Sequence, residues 1–350
     1  MANLRIKPSS VQETLVIPLY GRKLCAEQFP KLYQDGSAAK ACAQIDYDFS
    51  DLDRHAASPL WQFGALEAAM RQLDMQWEVR DYLASHPHAA VVNMGCGLDQ
   101  TGRACDNGRC KLYNVDMPDV INMREQLFPT DWRETDIKSN LNDHAWMEQV
   151  DGSDGAVFFA AGVFHYLTTW QAQTLASELA RRFPGGRLVF DTIGRLGRLL
   201  MRRTFKSFGM ENYRECLCVQ NPRELKGWVS NATVSSKGCM LGYHAMDDPA
   251  VTALHRFLAR RCDGMLGMRV NRIDFPARPI PVRRQPLGNR MRNAGGVDGI
   301  HASPAIAIEA SDADAFQADP QASSGCRPAR ACPRPPCVPS RGRRHSCCRL

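Results

Sequence analysis

Apolar residues along this chain fall into two kinds of run. Short blocks rich in β-branched and aromatic residues occupy 89–92, 110–115, 156–164 and 187–191, and each gives way to polar or glycine-containing sequence. Unbroken blocks of that length are what strands buried on both faces require. Elsewhere apolar positions recur at three and four. The clearest such stretch spans 60–83 and stops at His86-Pro87, another spans 117–127 and stops before Pro129, and a third spans 168–183 and enters the turn Pro184-Gly185-Gly186. That is the helical period with proline and glycine punctuation. Weaker strand signals lie within 228–234 and 239–243, a helix is expected over 249–261, and an alternating strand over 268–275. Residues 1–88 read as helical without strand alternation. Strands alternating with helices predict an α/β fold, a doubly wound and mostly parallel sheet.

The first block empties into Asn93-Met94-Gly95-Cys96-Gly97-Leu98-Asp99, and Asp116 closes the second block nineteen residues after Gly97. Strand, glycine turn, helix, strand and acid is the order in which a nucleotide-binding unit offers a loop to its ligand and a carboxylate to a ribose. Gln100 stands where a dinucleotide fingerprint carries its third glycine, and Asp99 puts a carboxylate where a pyrophosphate would lie. A negative group there repels phosphate and suits ammonium and sulfonium charges. These residues favour S-adenosylmethionine over NAD, and an NAD-dependent oxidoreductase on a similar sheet is the competing reading.

Charge changes this picture only at the C-terminal end. The chain carries a formal +7, but residues from Pro276 onward hold 12 Arg, no Lys and 5 acids, leaving 32 basic and 32 acidic residues before them. The part expected to fold is therefore neutral and offers no nucleic-acid groove. From Pro276 on there are 11 prolines and a single aromatic, Phe316, too little apolar surface to offset the entropy of ordering. Residues 276–350 are expected to be a disordered Arg/Pro-rich tail with the composition of a GC-rich gene read in a shifted frame; nucleic-acid binding through that tail is a further alternative. The 14 cysteines are too sparse for a disulfide scaffold, and Cys326, Cys332, Cys337, His345, Cys347 and Cys348 lack zinc-finger spacing. No metal is expected. No secretory leader is evident, and the run 155–164 is too short to span a bilayer, so a cytoplasmic protein without a membrane partner is expected.

Five motifs taken in order, Val92-Asn93-Met94-Gly95-Cys96-Gly97-Leu98-Asp99, Asn114-Val115-Asp116-Met117-Pro118, Asn140-Leu141-Asn142-Asp143, Ala161-Gly162-Val163-Phe164-His165-Tyr166-Leu167 and Leu188-Val189-Phe190-Asp191, resemble those of the leucine carboxyl methyltransferase family. The bacterial branch with tetracenomycin-type polyketide O-methyltransferases is the most similar. The resemblance covers roughly 15–275. It implies a class I S-adenosylmethionine-dependent methyltransferase fold, seven-stranded with a reversed last strand, in which 1–88 form a helical lid and 89–275 the cofactor-binding core. It also implies that Arg71 pairs with the cofactor carboxylate, that Gly95 and Gly97 lie against the methionine portion, and that Asp116 holds the ribose. Asn140 and Leu141 match an Asp-Leu pair at the adenine, with Asn140 departing from the family acid, and Gly162 joins the cofactor-binding set. Ala161 stands where phosphatase-directed members carry Glu.

That departure favours a small-molecule acceptor, methylated on a carboxylate or a hydroxyl, over a protein C-terminal carboxylate. A carboxylate acceptor, with a pKa near ~4, needs no base; a phenol near ~10 does. His165, just past the end of a strand, is the candidate base for the second case, with Tyr166 beside it.

Overall fold

The computed structural model describes residues 4–6, 11–200 and 217–277, with side chains from residue 15 onward in the first helix. The elements are β1 (Leu4–Arg5), α1 (Val11–Gln28), α2 (Gly36–Gln44), β2 (Ile45–Asp46), α3 (Ser50–His55), α4 (Pro59–Ser85), β3 (Ala90–Met94), α5 (Thr101–Ala104), β4 (Lys111–Asp116), α6 (Pro118–Leu127), β5 (Glu134–Lys138), β6 (Ala156–Ala160), α7 (Thr169–Arg182), β7 (Arg187–Thr192), β8 (Thr233–Gly238), α8 (Ala253–Asp263) and β9 (Arg269–Asp274). Seven strands form one sheet in the order β5-β4-β3-β6-β7-β9-β8. The first five are mutually parallel, and β9 alone runs against both neighbours. The sheet is doubly wound and mostly parallel, as the sequence predicts.

Every residue of β3, β6 and β7 is buried, because helices cover both faces. Alternate residues of one strand enter different cores. Val157 and Phe159 meet Leu66, Met70 and Val79 of α4, whereas Phe158 and Ala160 meet Leu175 and Leu179 of α7. A third cluster joins Val16 and Leu19 of α1 and Ala38 and Ala41 of α2 to Leu98, Met123 and Phe128. Local sequence fixes the helix ends. Pro59 opens α4 after Ser58, and Thr168 caps α7 in a reciprocal pair with Gln171.

The structure departs from expectation in five places. Leu4–Arg5 and Ile45–Asp46 form a small parallel pair within a region read as wholly helical. The strand β5 is unanticipated: its sequence, Glu-Thr-Asp-Ile-Lys, is mostly polar, and its inward acids Glu134 and Asp136 are met by Arg103, Arg124 and Asn114 instead of by apolar neighbours. The central strand ends at Ala160, and Phe164–Tyr166 form a 3-10 turn. The two weak strands over 228–234 and 239–243 are one, β8, which pairs with β9 along its whole length; Cys239 onward turns away because Met240 N–H and Leu241 N–H donate to Asp263. The helix expected from 249 starts at Ala253, where Thr252 caps it.

Among the described residues no helix is long and apolar enough to cross a membrane. Residues 278–350, which hold nearly all of the predicted tail, its arginines and its cysteine cluster, lie outside the described residues. The last described turn is joined to the sheet by Gly185 N–H donating to Pro276 O at 3.0 Å.

Arg187 ties α4 to the sheet by ion pairs. Its guanidinium pairs with Asp81 at 2.7 Å and Glu78 at 3.4 Å on α4 and with Asp274 at 2.7 Å on β9. Arg187→Met strands the buried Glu78 carboxylate beside a weaker partner set, and urea denaturation of the variant is expected to show a loss of about 3 kcal/mol. A loss below ~1 kcal/mol would mean that Arg272 alone neutralises these acids.

Candidate functional site

The C-terminal ends of β3, β4, β6 and β7 converge, as in open α/β sheets that bind ligands there. Past β3, Gly95 N–H and Cys96 N–H both donate to Val115 O, at 2.7 and 3.2 Å, which folds the loop back over β4. Gly95 has φ +64° and Gly97 φ +46°, and a Cβ on Gly95 would stand 2.6 Å from Val163 Cγ2. Glycine is required at 95 on both counts. Gly97 N–H donates to Asp116 Oδ2 at 2.7 Å, and Met117 N–H donates to Asp116 Oδ1 at 2.8 Å. Loop and acid therefore form one unit. Burial raises the Asp116 carboxyl above its usual range, and the two backbone donors oppose that shift.

Asp99 is turned toward the protein. Its carboxylate accepts from Gln72 Nε2 at 2.5 Å, Asn93 Nδ2 at 3.3 Å, Thr101 N–H at 3.2 Å and Thr101 Oγ1 at 2.9 Å. It binds the loop to α4 and β3 and occupies the N-terminus of α5. The first helix closes the loop from outside: Arg22 Nη2 donates to Leu98 O at 3.0 Å, and a Cβ on Gly97 would meet Leu15 Cδ2 at 3.1 Å.

At the ends of β6 and β7 the centre is Asp191. Its Oδ1 accepts from Gly162 N–H at 2.7 Å; its Oδ2 pairs with Arg71 Nε at 3.1 Å and lies 3.9 Å from His165 Nε2. Arg71 also pairs with Glu67 at 2.7 Å, one turn earlier on α4. Gly162 has φ +74°, and a Cβ there would stand 3.0 Å from Arg71 Nη1, so its bare backbone admits the guanidinium to the loop. His165 is buried and, as desolvation outweighs the attraction of Asp191, its pKa falls below the ordinary imidazole value. Tyr166 is exposed at the rim.

Beyond β5, Ser139 N–H donates to Asp116 O at 2.9 Å, which sets Asn140 and Leu141 next to that acid. Asn140 is exposed, but its amide oxygen already accepts from Asn142 N–H at 3.0 Å. Leu141 packs its side chain into the second core. Of the residues singled out in the sequence, Arg71, Gly162 and His165 gather around Asp191, and Gly95, Gly97, Asp99 and Asp116 belong to the glycine loop and its acid, with Asn140 on the turn that follows β5. Sequence reasoning placed Asp191 at the end of a motif without giving it a role, and missed Glu67. The signal for Asp191 is an acid at the end of an apolar block, the same signal that singles out Asp116. Among the described residues no group of three or more His, Cys, Asp or Glu side chains could hold a metal.

The chain is 29% identical over 244 residues to the tetracenomycin polyketide synthesis O-methyltransferase TcmP of Streptomyces glaucescens, an alignment covering 67% of this chain and 85% of that protein. The fold is that of the class I methyltransferases. No family model matches the chain. Among solved structures it is similar to a methyltransferase described as putative from Thermobifida fusca YX, with a TM-score of 0.49, 16% identity, and coverage of 78% of this chain and 100% of that one. A plantazolicin methyltransferase, BamL, solved with a triazolic desmethylPZN analog and SAH, gives a TM-score of 0.41, 12% identity, and coverage of 77% and 100%.

One turn past Arg71, Asp74 is buried with neither carboxylate oxygen hydrogen-bonded among the described residues, and His244 Nε2 is 3.8 Å away. Desolvation pushes its carboxyl up to about 9, with Asp263 adding to the shift. The unfolded side chain ionises near ~4 while the folded one keeps its proton, so this group costs stability progressively as pH rises from there toward the folded value. Asp74→Asn removes the penalty. The stability gained over the unaltered protein is expected to grow between about pH 4 and 8, exceeding about 1.4 kcal/mol, one pKa unit, at the upper end. A gain that does not change with pH would show Asp74 to be ionised.

Proposed function

We propose that this protein is an S-adenosylmethionine-dependent O-methyltransferase that methylates a carboxylate or hydroxyl of a small molecule. The observation that carries the reading is the Gly97–Asp116 unit at the ends of adjacent parallel strands, with Arg71 presented past Gly162 on the neighbouring pair. The set fits the cofactor's chemistry. Asp116 offers a carboxylate to ribose hydroxyls, the side-chain-free Gly95–Gly97 turn lets backbone approach the methionine portion, and Arg71 offers a cation to the cofactor carboxylate. The Asn140 turn beside Asp116 is the adenine end. Membership of the leucine carboxyl methyltransferase family, in its polyketide-directed branch, rests on the five sequence motifs, and the similarity to TcmP supports that branch.

NAD fits less well for a geometric reason. A pyrophosphate needs a free helix N-terminus, and here α5 has four residues and its first N–H is taken by the Asp99 carboxylate. Ala161 in place of a family Glu argues against a protein C-terminus as acceptor.

The cofactor supplies an already activated methyl group, so the chain has only to bind, align and exclude water. For a carboxylate acceptor that is sufficient. For a hydroxyl acceptor, His165 takes the proton, and its burial keeps the imidazole neutral and able to do so.

Calorimetry with S-adenosylmethionine, S-adenosylhomocysteine and NAD tests the assignment: the first two are expected to bind and NAD is not. Asp116→Ala should weaken S-adenosylhomocysteine by about 1.5 to 3 kcal/mol, the loss of charge-assisted hydrogen bonds. Arg71→Lys should also bind S-adenosylmethionine more weakly, since an ammonium cannot reproduce a planar fork shared with Asp191 and Glu67. Normal affinity in either variant would remove that residue from the site.

Turnover against pH separates the acceptors. A carboxylate gives a rate flat above ~5, whereas a hydroxyl gives a rate rising through the pKa of a base, which for buried His165 falls below ~6.5. His165→Gln should abolish that limb in the second case and leave turnover unchanged in the first.

A further inference from the structure

Beneath the glycine loop lies a guanidinium that no sequence motif marks. Arg124, in the last turn of α6, has a side chain only 1% exposed. Its Nη1 donates to two carbonyls of the loop, Gly97 O at 3.2 Å and Asp99 O at 2.6 Å. Its remaining nitrogens face Glu134 Oε1 at 3.6 Å and Asp136 Oδ1 at 3.8 Å. Those two carboxylates are in turn fixed by Asn114 Nδ2, which donates to them at 2.7 and 2.8 Å, and the Phe128 ring lies 5.8 Å from the guanidinium carbon.

A buried ion pair is a poor way to gain stability, because packed apolar side chains of the same volume usually serve as well. What an apolar side chain cannot do is hold carbonyls. The Gly97 residue is gripped on both sides: its carbonyl by Arg124 and its N–H by Asp116 at 2.7 Å. Fixing the carbonyl fixes the plane of the loop and so the aim of the donors on its other side. Leu98, between the two gripped carbonyls, is packed in the third core and tied through its own carbonyl to Arg22.

We propose that Arg124 is a positioning residue for the cofactor, acting through the Gly97 and Asp99 carbonyls to hold the loop in its binding conformation before the ligand arrives. The inference rests on the cofactor assignment above and adds a residue that does not touch the ligand. Pre-organisation of this kind raises affinity by removing the cost of ordering the loop on binding. Lysine is not equivalent, since one ammonium cannot span two carbonyls and two carboxylates that a planar fork reaches together.

The test uses Arg124→Lys with Arg187→Lys as control. Arg187 is also buried and bound to three acids, but its register partner Val157, itself paired with Val91, puts it at the opposite end of the strands from the loop. Calorimetry with S-adenosylhomocysteine, run below the melting temperature of each protein, is expected to show Arg124→Lys weakened by about tenfold or more and Arg187→Lys unchanged within about twofold. Amide hydrogen exchange over residues 95–99, without ligand, is expected to quicken in Arg124→Lys alone. Unaltered affinity in Arg124→Lys, or equal weakening in both variants, overturns the proposal. If the unsubstituted chain fails to bind S-adenosylhomocysteine, the cofactor assignment falls instead, and loop exchange still decides whether Arg124 braces the loop.

Discussion

One carboxylate, Asp191, serves three neighbours at the end of a strand buried on every residue. It receives the Gly162 N–H, neutralises Arg71, and stands near His165. In a low-dielectric position such a group is tolerated only when donors surround it, and here the donors come from the β6 turn and from α4. The dependence runs both ways. The turn after β6 keeps its left-handed glycine because Asp191 claims its N–H, and Arg71 points to the strand ends because Asp191 and Glu67 bracket its guanidinium. The Gly97–Asp116 unit repeats the pattern on the other side of β3: an acid at a strand end receives the N–H of a left-handed glycine. The candidate site is thus two copies of one physical device placed along neighbouring parallel strands.

This repetition explains what could be read from the sequence. Apolar blocks at 89–92, 110–115 and 187–191 are legible because a strand covered on both faces has no freedom to be polar, and Gly95, Gly97 and Asp116 are legible because a positive φ and a carboxylate at a strand end leave chemical marks. The direction in which a carboxylate faces leaves no mark. Asp99 reads equally well as a partner for a ligand cation and as an acceptor within the protein, and its bonds to Gln72 and Thr101 appear only in the fold. Leu141 likewise matches a ligand-side motif while its side chain belongs to the core. The charged strand β5 was invisible because its burial is compensated by arginines from α5 and α6, and such pairing across elements has no local period.

The helix α4 carries Arg71 near its middle and Glu78 and Asp81 further along, where Arg187 and Arg272 hold them to β7 and β9. Arg71 and Asp81 are ten residues apart, about 15 Å along a helix. The guanidinium at the strand ends is therefore mounted on a stiff rod bolted to the sheet at a distance. An α-helix transmits displacement along its axis with little loss, so losing the Arg187 and Arg272 pairs together would reach Arg71 as a shift of the whole side chain relative to Asp191, whereas either arginine alone still holds Glu78 and Asp81. The accuracy with which this chain places the Arg71 cation is then set partly by contacts at the other end of the sheet.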